Sequence, residues 1–147
     1  MKKEELKRIY RQQILERNKN PYHFEKREGA TGHCLANNPI CGDKFTLYLD
    51  YDHDTIRSAH FYGFGCALSK ASTSILMEKI EGMPQRDVIA FCKMFLAAVR
   101  GNQPIDPKDL SLETLAQMRD YQGRLDCITL SWETLLNHLL KKEMHTL

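Results

Sequence analysis

A chain of 147 residues, 42% of them hydrophobic, is long and apolar enough to bury a core and suits a single domain over residues 1–147. With 21 Lys and Arg against 19 Asp and Glu the net charge is only +2, which argues against a nucleic-acid partner. No run approaches the ~18 apolar residues of a membrane span, and five cysteines behind a charged start with no signal-peptide core point to a reducing, cytoplasmic setting with metal-binding or reactive thiols.

Leu6, Ile9, Tyr10 and Ile14 recur at helical spacing and predict a helix over 4–18, ended by Asn18-Lys19-Asn20-Pro21. The first thirty residues carry nine Lys/Arg against five Asp/Glu, read as a solvated helix face. Residues 22–40 are rich in loop formers, with room for a short strand around His33–Ala36. Phe45, Leu47, Leu49 and Tyr51 then alternate with polar residues, the period of a half-buried strand. Asp52-His53-Asp54 turns the chain, and Ile56–Tyr62 returns with Ala59 and Phe61 inward, which makes an antiparallel hairpin.

Gly63-Phe64-Gly65-Cys66 opens a helix to about Glu81, with small residues in its first turns and Gly82 at its end. Pro84 starts the next helix, to about residue 100, with Val88, Phe91, Cys92, Phe95 and Val99 inward. After a loop with Pro104 and Pro107, Ser111 is the expected cap of a short helix ending near Tyr121. Gln122-Gly123 breaks it, and a last helix covers about Asp126–Lys142, with a fraying tail. Strands and helices are segregated, so the class is α+β: a small antiparallel sheet of two or three strands packed on one face by about five helices.

Three segments carry candidate chemistry. Cys41 and Asp43 flank Gly42, so both side chains can turn toward one point in a tight loop. Cys66 and Cys127 each lie where a helix begins, where backbone N–H groups and the helix dipole are expected to lower a thiol pKa. Three thiolates and a carboxylate suit tetrahedral zinc. Such a site sums to about −2 with the divalent ion, and Arg124 is placed to offset it. The spacings match no short zinc-finger pattern, so three unrelated buried thiols remain the alternative. Cys92 falls in an apolar helical stripe and reads as a core thiol; Cys34 reads as core or edge packing, and Trp132 as core. His33 and His60 are outside candidates for a ligand.

The residues also carry a resemblance. Ile9-Tyr10-Arg11-Gln12, Lys19-Asn20-Pro21, Asn38-Pro39-Ile40-Cys41-Gly42-Asp43, Gly63-Phe64-Gly65-Cys66-Ala67-Leu68-Ser69-Lys70-Ala71-Ser72 and Arg124-Leu125-Asp126-Cys127-Ile128-Thr129-Leu130-Ser131-Trp132 follow one another in order. Together they resemble the SufU-type members of the IscU/NifU-like iron–sulfur cluster assembly proteins. The resemblance implies that Cys41, Asp43, Cys66 and Cys127 are metal ligands and that Cys41 accepts persulfide sulfur from a SufS-type cysteine desulfurase. It implies zinc as the cofactor and a downstream iron–sulfur scaffold or apo-protein as the sulfur's destination. The alternative within the family is an IscU-like scaffold on which a [2Fe–2S] cluster is built. A structural-zinc interaction module is the third reading.

The SufU branch is favoured by the long segment around 101–123, which looks like the SufU insertion. The Leu-Pro-Pro-Val-Lys chaperone-recognition stretch of IscU is absent, as is the histidine before its third cysteine. One departure stands out. Related sequences often carry Lys directly before the third cysteine, whereas this chain has Asp126, which adds negative charge beside the site or competes as a ligand.

Overall fold

The computed structural model describes residues 3–101, 105, 108–119 and 124–145. Along the chain run α1 (Lys3–Lys19), β1 (Gly32–Asn38), β2 (Asp43–Asp52), β3 (Thr55–Phe64), α2 (Ala67–Ile80), α3 (Gln85–Val99), α4 (Leu110–Met118) and α5 (Leu125–His145). The expected α+β order holds.

The three strands form one antiparallel sheet in the order β1-β2-β3. Alternation decides which face is buried. Phe45, Leu47 and Leu49 of β2 are fully inaccessible, while Lys44 between them and Asp43 is exposed. Ala59 and Phe61 of β3 join the inward face as expected. The strand expected around His33–Ala36 is longer, because β1 pairs with β2 from Gly32 opposite Leu49 to Asn38 opposite Asp43. Lys44 in turn lies opposite Phe64. The end of β1, the start of β2 and the end of β3 therefore share one edge of the sheet, and the candidate ligands collect there.

Two glycines make that edge possible. Gly63 has φ +151, and a Cβ on it would meet the Lys44 carbonyl oxygen at 2.0 Å. A Cβ on Gly65 would meet ring carbons of Phe45 at 2.5 and 2.7 Å and Asp43 Oδ1 at 3.0 Å. Only a bare backbone lets the chain leave β3 against β2 and enter α2 beside Asp43.

The helices α2 and α5 close over the sheet's inward face, and α3 packs on α5. Trp132 of α5 is fully buried and stacks on Phe95 of α3 with centroids 3.8 Å apart. Cys92 is a core thiol, as expected. Gly82 ends α2 at φ +86, with its own N–H donating to the Ile56 carbonyl at 2.7 Å.

Two helix ends differ from expectation. The cap of α4 is Asp109, whose Oδ1 accepts the Leu112 N–H at 3.2 Å, so the helix starts before Ser111. An aspartate two residues earlier reaches the same free N–H groups and pairs with Lys79 at 2.8 Å. The helix α5 does not fray at Lys142 but continues to His145. Lys142 Nζ lies 3.2 Å from the Tyr51 ring centroid, which ties that turn to the sheet. The expected end of α4 at Tyr121 and the break at Gln122-Gly123 lie outside the described residues.

Candidate metal centre

The β1–β2 connection is tightened by Asn38. Its Oδ1 accepts the N–H groups of Ile40 at 3.1 Å and Cys41 at 3.4 Å, and its carbonyl accepts the Gly42 N–H at 2.9 Å. Gly42 takes φ +78, the left-handed conformation that favours glycine. The turn then delivers Asp43 as the first residue of β2, 1% exposed. It leaves Cys41 on the outside, exposed. Cys41 lies near enough for its charge to act on Cys127, but it is not among the donors gathered most closely.

Cys66 is the N-cap of α2, and its Sγ accepts the Ser69 N–H at 3.4 Å. Its own N–H donates to Asp43 Oδ1 at 2.9 Å. Cys127, the third residue of α5, is 4% exposed. The ligand atoms of Asp43, Cys66 and Cys127 all lie within 4.8 Å of one another. Two sulfurs on a tetrahedral zinc stand about 3.8 Å apart, from Zn–S bonds of about 2.3 Å. A metal could thus be gripped with shifts of about 1 Å.

Three strands of observation fit a soft cation here. Two of three donors are thiols, and the third is a carboxylate, the donor set of zinc. Asp43 Oδ2 is buried and has no hydrogen-bond partner, as does the Ser69 hydroxyl one helical turn from Cys66. Burial pushes the Cys127 thiol up to about 12, helped by its hydrogen bond with Cys66 and the charges of Cys66, Asp43 and Cys41. For Cys127 this corrects the expected lowering at a helix start: burial and neighbouring negative charge outweigh the helix dipole. A bound cation supplies the missing positive charge and displaces the proton.

The other expected residues fall into place around the trio. Arg124 and Asp126 are exposed at the start of α5, and no ion pair of either is seen among the described residues. His60 lies elsewhere, 5% exposed, stacked on His23 with centroids 4.3 Å apart. His33 is exposed, and Cys34 packs half-buried on the edge strand. Sequence reasoning missed three exposed apolar side chains that neighbour the thiols in the sequence. Ile40 (94% exposed), Phe64 (75%) and Leu125 (36%) each stand one or two residues before a candidate thiol. The signal was present: each is a large apolar residue in a turn or at an element's end, where no core position requires one.

Fold and site together define an α+β protein with a mixed thiol–carboxylate cluster at one sheet edge. The chain belongs to the family described as the NifU-like N terminal domain, whose model matches residues 9–132. It is 32% identical over 139 residues to the zinc-dependent sulfurtransferase SufU of Bacillus subtilis, covering 92% of each chain. It is 31% identical to the iron–sulfur cluster assembly scaffold protein IscU of Streptococcus pyogenes, covering 88% of this chain and 82% of that one. Among solved structures it resembles a putative iron–sulfur cluster assembly scaffold protein for the SUF system from Fervidobacterium islandicum. The TM-score there is 0.80 at 29% identity, over 86% of this chain and 93% of that one.

Proposed function

We propose that this chain is an iron–sulfur cluster assembly protein that holds zinc and relays sulfur through Cys41. The observation that carries this reading is the division of the four candidate residues. Asp43, Cys66 and Cys127 are gathered within 4.8 Å, while Cys41 is exposed on a glycine-hinged turn beside them. Zinc, when bound, would hold the gathered thiols as thiolates and damp their reactivity. Cys41 is the donor that can leave the set, and so the one that can react.

The step is a thiol–persulfide exchange. The Cys41 thiolate attacks the outer sulfur of a cysteine persulfide on a desulfurase. The S–S bond breaks, the desulfurase cysteine leaves as a thiolate, and Cys41 carries the persulfide. The exposed Ile40, Phe64 and Leu125, each one or two residues before a candidate thiol in the sequence, offer apolar surface suited to a docked partner that excludes water from this exchange. The likeness to the SufU sulfurtransferase supports this reading. Among the described residues no helix is long and apolar enough to cross a membrane. In this reading a single domain spanning 1–147 works in the cytoplasm, with a SufS-type cysteine desulfurase as sulfur donor and a downstream scaffold or apo-protein as acceptor.

A second reading is favoured by the likeness to IscU scaffold proteins: the same thiolates ligate a [2Fe–2S] cluster that is passed on. The two separate cleanly. A sulfur relay stimulates desulfurase turnover under reductant when zinc-loaded; a scaffold acquires a cluster in anaerobic reconstitution and transfers it to an apo-ferredoxin.

A further inference from the structure

The two buried thiols come from different helices, and something must set their separation. Directly beneath them α2 and α5 are joined by side-chain hydrogen bonds through residues that are almost inaccessible: Ser72 and Thr73 at 1%, Ser131 at 2% and Trp132 at 0% exposure. Cys66, Ser69 and Thr73 share one face of α2, and Cys127 and Ser131 share one face of α5, each by three- and four-residue steps. The pair Thr73–Ser131 is therefore the next rung below the thiols.

Proton accounting fixes the direction of both links. The Thr73 hydroxyl donates to the Ser69 carbonyl at 2.9 Å, so in its 2.6 Å contact with Ser131 it is the acceptor and Ser131 donates. In the second link the Trp132 indole N–H donates to Ser72 Oγ at 2.9 Å, and Ser72 donates to the Ile128 carbonyl at 2.7 Å. Every hydroxyl proton is used, and both links start on α5 and end on α2 or return to α5. Each also anchors at a site residue's neighbour. The Ser69 N–H donates to the capping sulfur of Cys66, and Ile128 follows Cys127. A hydroxyl at this depth without partners would disfavour the fold, so the pairing selects one axial register of α5 against α2.

We infer that Ser72, Thr73, Ser131 and Trp132 are positioning residues for the metal centre: their two directed hydrogen-bond links hold Cys66 and Cys127 at ligating distance. This rests on the zinc reading above. The thiols' separation is thereby made a property of the helix pair, independent of the β1–β2 turn that carries Cys41.

The test is the double variant Thr73→Val/Ser131→Ala. It removes both partners of one link and leaves no orphan between them, so the fold itself should change little. Zinc affinity is measured by chelator competition, with cobalt(II) absorption as a geometric probe and the melting temperature of metal-free protein as the structural control. The expected result is zinc binding weaker by about 10- to 100-fold, the usual effect of disturbing groups that orient ligands. The cobalt thiolate band should be altered and the metal-free melt nearly unchanged. Should the double variant not fold, Ser131→Ala alone removes only the donor and should weaken zinc in the same direction. Unchanged zinc affinity in a folded variant would overturn the positioning role while leaving the metal centre standing. Wild-type protein that binds no zinc would overturn both.

Discussion

Asp43 receives the Cys66 backbone N–H at 2.9 Å through Oδ1, while its Oδ2 is buried without a partner. One carboxylate thus ties the start of β2 to the cap of α2 and keeps an oxygen free for a cation. The two duties can be separated by substitution. Asp43→Asn keeps an acceptor for the Cys66 N–H, so the metal-free melt should hold while zinc affinity falls. Asp43→Ala orphans that N–H as well, and should lower metal-free stability by about 1–3 kcal/mol. Thermal melts with and without zinc check both.

Gly65 is held against the Phe45 ring and Asp43 Oδ1. Gly65→Ala must push the Phe45 ring, which is fully buried, or the Asp43 carboxylate. We expect a loss of about 1–3 kcal/mol in urea unfolding, as for overpacking generally. Weakened zinc binding should accompany it. An Ala variant of full stability and affinity would mean that the approach at Gly65 is not constrained.

The His60 imidazole is lowered from its ordinary value of 6.5, first by burial, then by the nearby His23 and Arg27, against the opposing pull of Glu25 and Glu81. It is therefore neutral in the fold at neutral pH. The unfolded chain binds the proton more readily, so stability is fully present above pH about 6.5 and falls as pH drops toward the folded value. Melts between pH 7.5 and 5 should show this decline (a buffer range of about these values). His60→Phe should flatten it in part, since His138 is also lowered by burial and by Lys142.

The cysteines should divide by place. Cys92→Ala empties a sulfur's volume in the core, lowering stability by about 1 kcal/mol and leaving zinc content unchanged. Cys66→Ala and Cys127→Ala should each abolish stable zinc binding. Metal analysis of purified variants, beside melting temperatures, distinguishes the two groups.

Much of the fold was legible because it rests on short-range periodicity. The alternation Phe45, Leu47, Leu49 and the helical spacing of Ile128, Trp132, Leu135 and Leu139 place fully buried side chains correctly. What periodicity could not show was contact between distant segments. The α4 cap moved from Ser111 to Asp109 because both residue types cap well and only the helix start decides between them. The rise in the Cys127 pKa follows from burial beside Cys66 and Asp43, which no local pattern encodes. The site itself was legible as a set of residues, yet Cys41 standing outside the gathered trio depends on the turn that Asn38 and Gly42 impose.

The central claim is that Cys41 is the working sulfur beside a metal held by Asp43, Cys66 and Cys127. Zinc-loaded wild-type and Cys41→Ala proteins should be incubated with a matched cysteine desulfurase and cysteine, then read for desulfurase turnover and for added sulfur by intact mass. The account predicts that Cys41→Ala folds and retains zinc, gains no sulfur, and fails to raise turnover, whereas the wild type does both. Full stimulation by the Cys41→Ala protein, or persulfide found on another cysteine, would contradict it.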